Sequence, residues 1–98
     1  MKNLSGTEIG YKKLHLSRDV GSVVTSYSDL VEVFGEPEII SDDAKSRVAW
    51  IIEFRDGIIA EIVDYNQFLV DDYHDVKIWN IRGFGYNAPC LVNHFLDV

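Results

Sequence analysis

The fold is decided by residues 47–65, which read RVAWIIEFRDGIIAEIVDY. Two runs rich in β-branched and aromatic residues flank the dipeptide Asp56-Gly57, and this arrangement is the strongest short-range signal for a β-hairpin. We therefore expect two antiparallel strands joined by a short turn at this point of the chain.

The length of the turn decides which side chains share a face. A two-residue turn would place Glu61 among apolar side chains, and burying an unpaired carboxylate is costly. A three-residue loop over residues 55–57, with Gly57 at positive φ, instead sets Phe54 opposite Ile58. We prefer this second register because it gives one apolar face: Val48, Trp50, Ile52, Phe54, Ile58, Ala60 and Ile62. The other face is then mixed and half exposed: Ala49, Ile51, Glu53, Ile59, Glu61, Val63 and Tyr65.

Residues 26–34 have the clearest helical pattern. Ser26 can act as the N-cap, with Asp29 three residues later as a short capping box. The apolar stripe follows the helical spacing i, i+3, i+4 and i+7: Tyr27, Leu30, Val31 and Phe34. Gly35 and Pro37 end the helix.

The spacing predicts a second helix after Asn87, with Pro89 in its first turn. In this helix Leu91, Val92 and Phe95 would pack inward, and Asn93, His94 and Asp97 would face water.

The remaining segments predict two more strands and their connections. Residues 7–16 read as an edge strand, 17–25 as a turn region, 38–46 as a connecting loop and 66–75 as an exposed loop. Residues 76–82 alternate, and Lys77, Trp79 and Ile81 form the better core face. The expected fold is α+β: a small antiparallel sheet of about four strands, in the order β-α-β-β-β-α, with two short helices on one face. At this length residues 1–98 form a single domain with one modest core.

Composition limits the class of protein. Cys90 is the lone cysteine, so neither an internal disulfide nor a zinc motif is expected. No apolar run approaches the roughly 20 residues of a membrane span, and the N-terminus lacks a signal-peptide core. We expect a cytoplasmic protein without a cofactor.

The net charge of −7 is unevenly distributed. Residues 1–24 carry +2, residues 25–75 carry −10 and residues 76–98 carry +1. A negative surplus disfavours direct binding to nucleic acid and favours attraction to a basic partner surface. Acidic proteins are also common and soluble, so the charge alone does not require a partner.

Four segments carry a family resemblance: TSYSDLVEVFGEP at 25–37, VAWIIEFRDG at 48–57, AEIVDY at 60–65 and WNIRG at 79–83. Together they resemble a group of small phage-encoded proteins with a capped helix, a tryptophan-bearing strand, an Asp-Gly hairpin and a late Trp-x-Ile-Gly-Gly segment. Arg82 stands where that pattern has its first glycine. The resemblance implies a phage or prophage origin, and such small acidic proteins often bind and inhibit CRISPR effectors or other host defence proteins.

Three constellations could suggest chemistry, but each has a simpler explanation. Asp71, Asp72, His74 and Asp75 are suitable metal ligands, yet their spacing is not that of an EF-hand, and a solvated acidic loop explains them. Glu53 and Glu61 could form an acid/base pair, but surface pairing with arginine or lysine suffices. Cys90 and His94 lie at i and i+4 on the last helix, a spacing that is common without catalysis. We expect neither an enzyme nor a metal site.

A second binding hypothesis concerns residues 82–87. The backbone at Gly83 and Gly85 could approach an anion, the helix beginning after Asn87 would add its positive end, and Arg82 could pair with a phosphate. Phe84 or Tyr86 could stack on a base. This segment could sequester a signalling nucleotide, or it could be a plain strand-to-helix connection.

The favoured hypothesis is a protein that inhibits a basic, nucleic-acid-binding host protein by occlusion or nucleic-acid mimicry. The expected contact residues are loop carboxylates on either side of the hairpin: Glu36, Glu38, Asp42, Asp43, Asp71, Asp72 and Asp75. Toxin-immunity proteins have the same size and charge and are a near variant. A homodimer could also form through the mixed hairpin face, at Ile51, Ile59, Val63 and Tyr65.

Overall fold

The computed structural model describes residues 1–7, 18–39, 47–54, 57–64, 70–83 and 87–97. These residues form six strands and two helices: β1 (Lys2–Asn3), β2 (Arg18–Val24), α1 (Tyr27–Phe34), β3 (Glu38–Ile39), β4 (Val48–Glu53), β5 (Ile59–Val63), β6 (Ile78–Gly83) and α2 (Ala88–Leu96). A 3₁₀ turn, Tyr73–Asp75, lies between β5 and β6. The predicted α+β class is confirmed, but the sheet has about two strands more than expected.

All the pairings in the sheet are antiparallel, in the order β1-β4-β5-β6-β2, and β3 also pairs with β4. Strand β1 pairs with Ile52 and Glu53, and β3 pairs with Val48 and Ala49. The two short strands therefore lie end to end along one edge of β4. Asn3 of β1 also contacts the chain that leads from α1 to β3, because its Nδ2 donates to the carbonyl oxygens of Phe34 and Glu36, both at 2.9 Å.

The hairpin has the three-residue loop that its apolar pattern predicts. Trp50 pairs with Ile62 and Ile52 with Ala60. The Phe54 N–H donates to the Ile58 carbonyl at 2.7 Å, and Gly57 has φ +74°. The register that keeps Glu61 out of the core is thus confirmed, and glycine is required at residue 57 because few other residues adopt this φ.

The core lies between the apolar hairpin face and the two helices. Trp50 and Trp79 meet edge to face at its centre, with ring centroids 5.4 Å apart, and both are fully buried. Their Nε1 atoms donate to the carbonyls of Gly35 at 2.7 Å and Thr25 at 3.0 Å, so burial leaves neither indole N–H unpaired. The same cluster includes residues of both helices and of β6: Leu30, Phe34, Ala88, Val92 and Ile81.

Helix α1 forms as its sequence indicates. The Ser26 Oγ accepts a hydrogen bond from the Asp29 N–H at 3.1 Å, and Gly35 follows the helix with φ +92°. Leu30 and Phe34 are buried, as the apolar stripe predicts.

The buried face of α2 differs from the prediction. Asn87 precedes the helix, but its side chain makes no capping hydrogen bond. Ala88 and Val92 face the core, while Phe95 is 41% exposed at the edge, against Phe34 and Phe54. Of the three residues expected to pack inward, Val92 is buried and Leu91 packs partly against the core. The expectation for Phe95 is wrong, because residues 88 and 92, one turn apart, form the stripe that faces the sheet.

Strand β2 replaces the turn predicted at residues 17–25. Asp19 and Gly21 are typical turn residues, but here they flank an irregularity in an antiparallel ladder with β6. A Cβ on Gly21 would lie 3.1 Å from Pro89 Cγ, so glycine lets α2 approach the strand. Of the strand predicted at residues 7–16, only residue 7 lies within the described residues.

In β6 the predicted core residues Trp79 and Ile81 are fully buried, whereas Lys77 precedes the strand and is exposed. Val76, which was not assigned to the core, is fully buried beside them.

The second hairpin face is not half exposed, and this expectation is wrong. Ala49, Ile51, Ile59 and Val63 are each at most 4% exposed. Leu4 packs on Ile51 and Ile59, and its N–H donates to the Ile51 carbonyl at 2.7 Å. A homodimer through this face would lack the exposed apolar side chains on which the prediction depended. Tyr65, the fourth residue of that prediction, lies outside the described residues.

Candidate functional site

The described residues 70–76, which we call the acidic loop, include the 3₁₀ turn between β5 and β6 and carry three of the predicted contact residues. Asp71, Asp72 and Asp75 are all exposed. Asp72 Oδ1 accepts the backbone N–H of His74 at 2.9 Å and lies 2.6 Å from His74 Nδ1. These contacts lower the pKa of Asp72, and the backbone hydrogen bond contributes most.

An ion pair between the buried Asp64 and the partly buried Arg47 holds the acidic loop at residues 70 and 71. Asp64, at the end of β5, is 1% exposed and accepts the backbone N–H groups of Arg47 (2.8 Å) and Val48 (3.1 Å). Its Oδ2 accepts Arg47 Nε at 3.0 Å. Arg47 Nη1 then donates to the carbonyls of Val70 at 2.7 Å and Asp71 at 3.1 Å. The guanidinium thus connects the loop to both strands of the hairpin.

The sequence analysis did not predict this ion pair, although the register of the hairpin indicates it. Since Ala49 pairs with Val63, extending the ladder by one residue sets Val48 opposite Asp64. Arg47 then follows at the strand end, within reach of the carboxylate. A buried aspartate must be paired, and Arg47 was the nearest available cation.

Three aromatic rings lie beside the carboxylates of the acidic loop: Tyr73 and His74 of the loop itself and Tyr27 of α1. Tyr73 and His74 are stacked, with centroids 4.3 Å apart and planes 24° apart. Tyr27, on α1, meets Tyr73 at 5.4 Å and His74 at 4.5 Å, in both cases edge to face. The tyrosines are partly buried, whereas the His74 side chain is 52% exposed. Helix α1 and the loop thus share one surface.

Glu36 follows Gly35, whose carbonyl accepts the Trp50 Nε1 hydrogen bond at 2.7 Å, and the Trp50 ring contacts Tyr27 at a centroid distance of 5.6 Å. The pKa of Tyr27 is raised, first by burial, then by Tyr73 and by the negative charge of Glu36. Glu36 thus belongs to the chain segment that adjoins Trp50 and Tyr27.

Glu38 lies on the opposite face of the sheet, the face that carries Ala49. It pairs with Ala49 in the ladder, and its charge contributes to the raised pKa of Glu61. Burial is the larger cause of that increase, and Arg82, whose Nη1 lies 3.5 Å from Glu61 Oε1, opposes it. The seven predicted contact residues therefore do not form one surface. Asp42 and Asp43 lie outside the described residues.

Gly83, one of the two glycines of the alternative anion site, has a structural explanation that does not involve an anion. Gly83 is the last residue of β6 and has ladder partners on both sides, Ala60 and Arg18. A Cβ on Gly83 would lie 2.3 Å from the Ile59 carbonyl oxygen, so close backbone packing explains the glycine. Arg82 is paired with Glu61, and Asn87 is exposed. Gly85, Phe84 and Tyr86 lie outside the described residues.

The remaining candidate residues, those for catalysis on α2 and those for binding a metal, are not arranged as a site in the described residues. Cys90 and His94 are both exposed on α2, and His94 borders a cleft of about 540 Å³ lined also by Met1, Phe54, Leu91 and Phe95. Within the described ranges, no three His, Cys, Asp or Glu side chains are grouped so that they could hold a metal ion.

No protein-family model matches the chain, and no curated protein or solved structure is significantly similar to it. Neither helix of the described ranges has the length and apolar character that crossing a membrane requires.

Proposed function

We propose that this chain binds a basic, nucleic-acid-binding protein and inhibits it by covering the surface that nucleic acid would use. The contact is made by four carboxylates, Glu36, Asp71, Asp72 and Asp75, which we call the acidic surface. This set is smaller than the seven residues that the sequence predicts, because Glu38 lies on the other face of the sheet, and Asp42 and Asp43 lie outside the described residues.

One observation carries the proposal: the acidic loop is attached to the hairpin by an ion pair whose carboxylate is buried. Arg47 bonds to Asp64 and to two loop carbonyls, so the backbone that bears Asp71 is fixed before any partner arrives. Preorganised groups lose less conformational entropy on binding than mobile ones do. The guanidinium of Arg47 is paired with the buried Asp64, whereas the carboxylates of the acidic surface are exposed.

Exposed charges of one sign act mainly on partner choice and association rate. They attract an oppositely charged surface over a distance of about one Debye length, roughly 8 Å at physiological salt. A nucleic-acid-binding protein presents such a surface, because it must neutralise phosphates with lysine and arginine. In its finer form the proposal is a phage-type inhibitor of a CRISPR effector or another defence protein, the function that the family resemblance implies.

The test begins with affinity capture from a bacterial lysate at about 0.1 M salt, and mass spectrometry identifies the captured protein. Its affinity is then measured for the wild type, for Asp71→Lys/Asp75→Lys and for the control Glu38→Lys/Asp97→Lys. Both double variants change the net charge equally, but the control changes residues outside the acidic surface.

We expect the first variant to lose at least tenfold in affinity and the control to stay within about twofold, because only the first reverses the contact charges. Duplex DNA or RNA should also compete with the chain for the captured protein. Equal affinities for the two variants, or a captured protein that is itself acidic, would contradict the proposal.

A further inference from the structure

The rings beside the acidic surface present an arrangement that the proposed function does not use. His74 stacks on Tyr73, and Tyr27 meets both rings edge to face. Tyr27 also contacts Trp50 at a centroid distance of 5.6 Å, so the cluster rests on the core. The side chain of His74 nonetheless remains half exposed.

Carboxylates border these rings. Asp72 contacts His74 through Oδ1 only, so within the described residues Oδ2 is open to a donor from another molecule. Asp75 is exposed in the same turn, and Glu36 acts on Tyr27. An aromatic surface with adjacent carboxylates suits a cation that is flat and carries several N–H donors.

We propose that the Tyr27–Tyr73–His74 cluster, which we call the ring cluster, binds an arginine side chain of the basic partner. The guanidinium lies against the exposed ring surface and donates to Asp72 and its neighbouring carboxylates. This inference rests on the proposed function and names the side chain that anchors the partner.

Arginine fits better than lysine for a geometric reason. A guanidinium is planar and weakly hydrated, stacks on aromatic rings and donates in a fixed fork to carboxylates. An ammonium group is a compact, strongly hydrated charge, and it gains less from a flat aromatic surface. The ring cluster should therefore discriminate between peptides of equal charge, which a purely electrostatic surface would not do.

The test uses hexa-arginine and hexa-lysine amides as probes, with binding measured by fluorescence anisotropy at low salt. The variant His74→Ala removes the exposed ring and keeps the backbone N–H that bonds to Asp72. Tyr73→Leu/His74→Ala removes the stack. Phe95→Leu, which changes an exposed ring in the cleft beside α2, is the matched control, and circular dichroism checks that each variant is folded.

We expect the wild type to bind hexa-arginine more tightly than hexa-lysine. His74→Ala should weaken hexa-arginine binding about 2- to 5-fold, and the double ring variant at least as much, with less than a twofold effect on hexa-lysine. In aromatic NMR spectra, hexa-arginine should shift the ring signals of Tyr27, Tyr73 and His74 and leave those of Phe95 unchanged.

Unchanged hexa-arginine affinity in the folded His74→Ala protein would overturn the inference, and so would an equal loss for both peptides. In either case the proposed function would stand if Asp71→Lys/Asp75→Lys still abolished binding of both peptides. If the wild type bound neither peptide, or if the charge reversal had no effect, the proposed function itself would fail.

Discussion

Removing the Asp64 carboxylate should destabilise the fold and release the acidic loop. Asp64→Ala deletes three hydrogen bonds, leaves the buried Val48 N–H unpaired and separates the Arg47 guanidinium from its counter-ion. Breaking a fully buried ion pair costs about 3–5 kcal/mol. Because the Arg47 side chain is 27% exposed and can partly rehydrate, we expect about 2–4 kcal/mol for this variant. Asp64→Asn keeps one oxygen for the two backbone amides and should lose about 1–2 kcal/mol.

Urea denaturation followed by tryptophan fluorescence measures these losses, and Asp75→Asn, an exposed site, is the control with an expected change within about 0.5 kcal/mol. Hydrogen exchange supplies the local readout. The backbone N–H groups of Asp75 and Val76, which bond to Asp72 and Tyr73, should lose protection in Asp64→Ala before the sheet does. If Asp64→Ala cost less than about 1 kcal/mol and these amides kept their protection, Asp64 would not be the residue that holds the acidic loop.

Three further predictions concern the sheet and its charges. Gly83→Ala should cost at least about 3 kcal/mol in urea denaturation, because its Cβ would lie 2.3 Å from the Ile59 carbonyl oxygen; a loss below 1 kcal/mol would show that glycine is not required there. Burial raises the pKa of Glu61 in the folded chain, so the unfolded chain releases this proton at lower pH and wild-type stability should fall as pH rises through the raised pKa. Glu61→Gln should remove this fall, so its stability relative to the wild type should rise with pH, and parallel pH profiles of wild type and variant between about pH 4 and 8 would contradict the assignment. Trp50→Phe should cost about 2–3 kcal/mol, since it removes the hydrogen bond to Gly35 and leaves a cavity beside Trp79, and a thermal melt that matches the wild type would count against the core description.

The hairpin could be predicted because its signals are local. Asp56-Gly57 marks the turn, and the cost of burying Glu61 selects between two registers that differ by one residue. The same holds for α1, where the Ser26 cap, the apolar stripe and Gly35 all indicate the same boundaries. In both segments each local preference agrees with the final structure.

Strand β2 and the buried second face could not be predicted, because their causes are distant in the chain. Asp19 and Gly21 read as turn residues until β6 lies beside them, and Gly21 is explained only by the approach of Pro89. Leu4 has no strand pattern of its own, yet it packs on Ile51 and Ile59 from 47 and 55 residues away. Pattern reasoning cannot detect such contacts without knowing the topology.

The acidic surface was predicted in part. The exposure of the carboxylates at residues 71, 72 and 75 follows from the polar loop. The face of the sheet on which Glu38 lies depends on where β3 pairs with β4, so the sequence pattern does not separate Glu38 from Glu36. The ring cluster was missed because Tyr27 and His74 lie far apart in sequence and meet only when α1 packs on the 3₁₀ turn.

The salt dependence of the association rate tests the central claim most directly. If fixed carboxylates attract a basic partner, the rate constant for binding the captured protein should fall at least tenfold between about 50 and 500 mM NaCl, and most of this dependence should vanish in Asp71→Lys/Asp75→Lys. A rate constant that is the same at both salt concentrations, or that keeps its full salt dependence in this variant, would contradict the account.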